Sequence, residues 1–215
     1  MFLAGLKTVQ ISTTNLVHRM LTNPEICEKL MSEIRPPLDA CKGQIQEKFT
    51  YDTAMEFDLL QRCYWEAIRL EPPAPVTFFQ CFSRDVTIGP NKVKIAKDVD
   101  IQMSIDALCV DPSQWIEPHK YEPERFNLLG GDQKWLKTPS GQMRSPLAFT
   151  PFFGGKRICL GKSFAEVSTR FTIPILFHYM ELRLADPKHA KSKYTVGGLE
   201  EAKIPLKFKV RNPVN

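Results

Sequence analysis

Residues 152–161 read FFGGKRICLG, and five spaced positions among them, Phe152, Gly155, Arg157, Cys159 and Gly161, decide how the rest of the chain is read. The apolar, periodic stretch that follows predicts a helix from about Cys159–Gly161 to about Met180. A helix that starts at a cysteine aims backbone N–H groups and its positive dipole end at the sulfur, which favours the thiolate. Gly155 lets the loop turn where a side chain would obstruct a flat ligand, and Gly161 lets the backbone approach closely. Phe152 can shield the sulfur from solvent. Arg157 can donate charge-assisted hydrogen bonds to an anion. A lone cysteine at a helix start is ordinarily an inert buried thiol; five positions at this spacing point to a thiolate held ready as a metal ligand.

The pattern Phe-x-x-Gly-x-Arg-x-Cys-x-Gly resembles the haem signature of the cytochrome P450 family, and Ala165 agrees with the family's extended pattern. Ser168 stands where the family often has Glu. The resemblance implies that Cys159 is the axial ligand of a haem iron (iron protoporphyrin IX), with Phe152, Gly155, Arg157 and Gly161 around the cofactor. It also implies a monooxygenase, because thiolate ligation favours O–O cleavage.

A second motif agrees. Glu66-Ala67-Ile68-Arg69 sets opposite charges at i and i+3 of one helix face, and Pro123-Glu124-Arg125-Phe126 comes later in the chain. The first alone reads as a solvated ion pair. The family has an E-x-x-R helix and a P-E-R-F loop, so the resemblance implies that Glu66, Arg69 and Arg125 form a buried structural cluster that pins the cysteine loop.

Two further matches are partial. Ala4-Gly5-Leu6-Lys7-Thr8 fits the family's oxygen-side segment except that Lys7 replaces an acid. The resemblance gives Thr8 a catalytic role in hydrogen bonding to oxygen and delivering protons; the plainer alternative is a hydroxyl bonded back to its own helix. Lys7 leaves room for an isomerase or lyase acting on peroxides. Gln80 is the nearest match to a cationic residue that faces a haem propionate in the family; it donates without charge, so Arg157 carries more of that anchoring. By the same carry-over Phe2, Leu3, Ala4, the stretch from Ala74 to Phe79, and Gly197 to Leu199 face the substrate. All but Thr77 lack a polar side chain, which implies an apolar small molecule; several serve equally well as plain core.

Outward from these motifs, helical spacing predicts a helix from residue 2 to about 21 and another over TNPEICEKLMSEI. Thr22 or Asn23 is its expected cap and Pro36-Pro37 its stop. A polar loop is expected to about Tyr51, then one helix from about Thr53 to Pro72-Pro73. Short alternating stretches from Val76 to Ile105 predict a small sheet, DALCVDPSQWI a short helix or turn, and residues 116–151 an irregular loop. The tail predicts a hairpin bending near Gly197-Gly198. The expected class is mainly α with small β-sheets (α+β), the carboxy-terminal portion of the cytochrome P450 fold: residues 1–215 form a partial domain whose N-terminal half is absent.

The 215 residues carry 43% hydrophobic and 25% charged residues, which excludes a disordered tail. A net charge of +5 suits an anionic cofactor or acidic partner surface and is too small to argue for nucleic acid. Six cysteines without a C-x-x-C pair read as mostly free thiols. No stretch is apolar for long enough to span a membrane, and no signal peptide is expected. The resemblance then implies O2, an electron-donor reductase, and, for a full-length relative, the cytosolic face of the endoplasmic reticulum membrane through an anchor outside these residues. A rival reading is a non-catalytic haem-binding fragment, prompted by a buried helix that opens at Met1.

Overall fold

α1 (Phe2–Thr22) opens the computed structural model, which describes residues 2–186, 192–196 and 199–211. Its buried Ile11, Leu16, Val17 and Met20 recur at helical spacing and face the core. α2 (Pro24–Asp39) follows at once, with Pro24 in its first turn. Asn23 holds the expected N-cap position, but neither side chain caps: Asn23 donates its amide back to the Arg19 carbonyl at 2.8 Å, and the Thr22 hydroxyl donates to the His18 carbonyl at 2.8 Å. Nor do Pro36 and Pro37 stop α2. Leu30, Ile34 and Leu38 form one buried stripe running past both prolines. Burial of Leu38, worth about 1.5–3 kcal/mol, offsets part of the ~3 kcal/mol that each interior proline costs.

The expected polar loop before Tyr51 contains a further helical turn, α3 (Ile45–Lys48), because Ile45 and Phe49 are spaced to bury together. The single helix expected from Thr53 is two. α4 (Tyr51–Met55) is capped by Thr50, whose hydroxyl accepts from the Thr53 N–H at 3.4 Å. α5 (Asp58–Leu70) has its first turn closed from outside. The Glu33 carboxylate on α2 accepts the N–H groups of Leu59 at 2.8 Å and Leu60 at 3.0 Å.

β1 (Val86–Ile88) and β2 (Val93–Ile95) pair antiparallel, while Val76–Ser104 and Gln80–Ile101 meet only as isolated bridges. α6 (Ile105–Cys109) is the short helix expected there. Residues 116–151 are irregular, stiffened by 3-10 turns at Pro123–Phe126, Gln133–Leu136 and Pro146–Ala148. α7 (Lys162–Tyr179) leads into β3 (Met180–Leu184), which pairs antiparallel with β6 (Leu206–Val210). β4 (Ser192–Val196) and β5 (Leu199–Lys203) form the expected hairpin; its Gly197-Gly198 bend lies outside the described residues. One core joins α1, α2, α5 and α7 through Leu16, Leu30, Leu60, Ile68 and Ile173. The architecture is helix-dominated with small two-stranded sheets.

Candidate functional site

α5 presents Glu66 and Arg69 on one face, and the Pro123–Phe126 turn brings Arg125 to them. None of the three side chains is exposed. Glu66 Oε2 accepts from Arg69 Nε at 2.7 Å. Its Oε1 accepts from Arg69 Nη2 at 2.8 Å, Arg125 Nε at 3.0 Å and the Glu122 N–H at 2.9 Å. The remaining guanidinium donors go to loop carbonyls: Arg69 to Cys109 at 2.8 Å and Pro118 at 2.7 Å, Arg125 to Ile116 and, at 2.7 Å, to Glu117. Burial pulls the Arg125 pKa down and the Glu66 charge pushes it back. A buried ion cluster survives when its donors and acceptors are matched in this way. The structural consequence is that the chain from Cys109 to Arg125, which has almost no regular structure, is tied to a core helix.

Sequence reasoning missed a third arginine. Arg144 lies 3.8 Å from the centroid of Trp115, a ring that is fully buried and has Arg69 4.7 Å from the same centroid. Its Nη1 donates to the Trp135 carbonyl at 2.8 Å and its Nη2 to the Arg125 carbonyl at 3.3 Å. Burial, and then the like charge of Arg125, lower its pKa to about 10, so it stays protonated near neutrality. Trp65 was also missed. Its indole N–H donates to Glu166 at 2.8 Å and ties α5 to α7. An isolated Arg in a loop and a Trp beside the E-x-x-R motif carry no local signal of these contacts.

The cysteine segment is shaped by its own backbone. The Cys159 N–H donates to the Phe152 carbonyl at 2.8 Å, closing the loop that contains Gly155. Gly155 has φ +60°, a left-handed conformation that favours glycine, and open space where a Cβ would point. Gly155 therefore serves backbone conformation as well as access. α7 starts at Lys162 with Gly161 as its N-cap, not at the cysteine. The turn Cys159–Lys162 uses a 3.3 Å bond from the Lys162 N–H to the Cys159 carbonyl, and no N–H among the described residues is hydrogen-bonded to the sulfur. Cys159 is half-buried, and a Cβ on Gly161 would stand 3.8 Å from its Sγ. Phe152 packs partly against the core.

Other candidate positions are dispersed. The Thr8 hydroxyl donates to the Ala4 carbonyl of its own helix at 2.7 Å. Gln80 is exposed, its backbone bridged to Ile101 at 3.1 and 2.8 Å. Arg157 is exposed and makes no ion pair among the described residues. Phe78 and Phe79 are 77% and 69% exposed, and the Phe78 ring lies 6.3 Å from that of Phe153 in the cysteine segment. Thr77 turns inward; it is buried, and its hydroxyl accepts the Met103 N–H at 2.9 Å. The side chains of Phe2 and Leu3 lie outside the described residues, as do Gly197 and Gly198. A groove of about 650 Å³ lies between α1 and α2, lined by Met20, Cys27, Met31 and Arg35 among others, and no residue of the cysteine segment lines it.

These residues fit a flat apolar group with anionic substituents. A thiol sits half-buried beside open glycines, apolar Phe78, Ile158 and Leu160 are exposed, and Arg157, two residues from the thiol, is an exposed cation with no ion pair among the described residues. Exposed apolar side chains, where they adjoin, mark a ligand- or partner-binding surface.

The cytochrome P450 family model matches residues 1–210, and the chain belongs to that family. Among curated proteins it is 29% identical over 207 residues to cytochrome P450 3A6 of Oryctolagus cuniculus, covering 96% of this chain and 38% of that protein. It is 31% identical over 178 residues to cytochrome P450 4F3 of Rattus norvegicus, covering 83% and 31%. It is 26% identical over 212 residues to cytochrome P450 monooxygenase 1 of Neocamarosporium betae, covering 97% and 40%. Among solved structures, the haem domain of cytochrome P450DA superposes with a TM-score of 0.78 at 21% identity, covering 96% of this chain and 41% of that one, which shows the shared fold. The chain thus spans about two fifths of the length of several of these proteins. The family's cofactor is haem with cysteine thiolate ligation.

Proposed function

We propose that this chain carries the thiolate-ligand side of a haem monooxygenase, in which Cys159 would hold the iron. The observation that carries this is the half-buried Cys159 on a glycine-turned loop, in a fold whose E-x-x-R cluster is complete and buried. Haem held through a thiolate supplies the activation of O2 from which one oxygen atom enters a C–H or double bond of an apolar small molecule. The chain's own residues position and shield. Arg157, with Gln80 as a neutral donor, would hold the anionic substituents of the cofactor; Phe152 would keep water from the sulfur; Gly155 and Gly161 would keep its flank open. Thr8 would pass a proton once its hydroxyl releases the Ala4 carbonyl. Electrons come from a reductase, for which the mildly basic surface suits an acidic partner. No helix among the described residues is long and apolar enough to cross a membrane; placement at the endoplasmic reticulum rests on kinship with the whole-length relatives.

One observation favours a second reading. Lys7 stands where the family pattern has an acid beside Thr8, which suits an isomerase or lyase that rearranges a hydroperoxide and needs no proton relay. The absorbance spectrum of the reduced, carbon-monoxide-bound protein tests the first premise of both. A strongly red-shifted Soret band is expected. A band at the position typical of imidazole ligation removes Cys159 from the iron.

A further inference from the structure

Arg144 begins the segment that ends at the cysteine ligand, and its contacts lead back to the buried carboxylate. Three cations lie in residues 144–161: Arg144, Lys156 and Arg157. Lys156 and Arg157 are exposed; among the described residues, Arg144 alone of the three hydrogen-bonds to the rest of the molecule. Its guanidinium bridges the Pro123–Phe126 and Gln133–Leu136 turns, donating to the Trp135 and Arg125 carbonyls, while its own N–H donates to the Leu136 carbonyl at 3.0 Å. The Trp115 ring beneath it is fully buried, and its indole N–H has no hydrogen-bond partner among the described residues. That ring is therefore held by packing and by the guanidiniums of Arg69 and Arg144. The neighbouring residues repeat the seam: the Gln114 side-chain carbonyl accepts the Ser145 N–H at 3.1 Å. Beyond it Phe149 packs on Phe126 at 4.8 Å and Trp65 at 6.4 Å, and Phe152 accepts the Cys159 N–H.

We propose that Arg144 is a positioning residue for Cys159, a fourth member of the Glu66–Arg69–Arg125 cluster that anchors the start of the cysteine segment through Trp115. Its planar fork meets two carbonyls while its face lies on an indole, which a lysine cannot reproduce. The proposal rests on the reading of Cys159 as the iron ligand. The anchoring itself is a property of the polypeptide and is measurable without haem.

Amide hydrogen exchange, resolved by peptide, tests it on the full chain. In Arg144→Gln the amides of residues 145–161 should exchange roughly tenfold faster, the effect of losing charged-donor hydrogen bonds at one end of a locally opening unit. Amides of α5 and α2 should keep their rates. Arg144→Lys should fall between, because the charge and a single donor nitrogen remain without the planar fork. Faster exchange of α5 and α2 by the same factor would make Arg144 a general stabiliser and overturn the proposal, as would unchanged exchange in 145–161. A localised effect in a protein whose carbonyl spectrum shows no thiolate would sink the haem assignment and leave the anchoring intact.

Discussion

Glu66 and Arg125 meet at 3.0 Å across 59 residues of sequence, with neither side chain exposed. The contact ties a core helix to a loop that has little regular structure to hold it. Removing either partner leaves buried charge uncompensated, at a cost of ~3–5 kcal/mol. Glu66→Ala, Arg69→Ala and Arg125→Ala should each lower the yield of folded, haem-loaded protein and leave substrate preference among the survivors unchanged. Chemical denaturation of the singles and the Glu66→Ala/Arg125→Ala double should show strong non-additivity, because the first removal already strands the second charge. Additive losses would mean that the two residues act separately.

Cys159→Ser and Cys159→His should abolish the red-shifted carbonyl band, since the ligand atom becomes oxygen or nitrogen. Cys63→Ser and Cys109→Ser should keep it in whatever protein folds, because both thiols are fully buried in the core and in the loop anchor. Comparison of the four spectra at equal haem content decides which cysteine holds the iron.

Stability should fall at alkaline pH. Burial raises the Cys63 thiol from 9.0 to about 12 and the Cys109 thiol from 9.0 to about 11. Between pH 9 and those values the unfolded chain has released protons that the folded chain still holds. Unfolding free energy therefore decreases as pH rises through that window. Each pKa unit corresponds to about 1.4 kcal/mol, so Cys63 accounts for a loss on the order of a few kcal/mol. Cys63→Ala should lower stability at pH 7, through lost packing, and flatten its decline from pH 9 to 11. Urea titrations at several pH values measure both, and parallel pH profiles for the two proteins would exclude Cys63 as a source.

Lys7→Asp restores the acid that the family pattern sets beside Thr8. For a reductase-driven oxygenase limited by proton delivery, the fraction of electrons reaching product should rise and peroxide leakage should fall. For a hydroperoxide isomerase, the same change should leave turnover level or lower it. Product and peroxide are measured together against reductant consumed, and unchanged coupling and leakage would mean that Lys7 does not limit proton delivery.

Much of the molecule could be read from residues close together in the chain. The cysteine signature at 152–161, the E-x-x-R pair and the P-E-R-F turn each lie within a few residues, where spacing alone expresses what the chemistry requires. α1, the irregular loop at 116–151 and the last hairpin follow from apolar period and turn residues for the same reason. Other features rest on contacts between distant residues. α2 runs through Pro36-Pro37 because Leu38 finds a core to fill, and α5 starts where Glu33 of another helix closes its first turn. The Cys159 amide reaches back to the Phe152 carbonyl, and α7 starts only at Lys162. Arg144 could not be told from any exposed loop arginine until Trp115, Trp135 and Arg125 surrounded it. Periodicity and turn chemistry act over a few residues, so sequence carries them. The worth of a buried charge depends on which dipoles and charges enclose it, and that is settled only when the chain has folded.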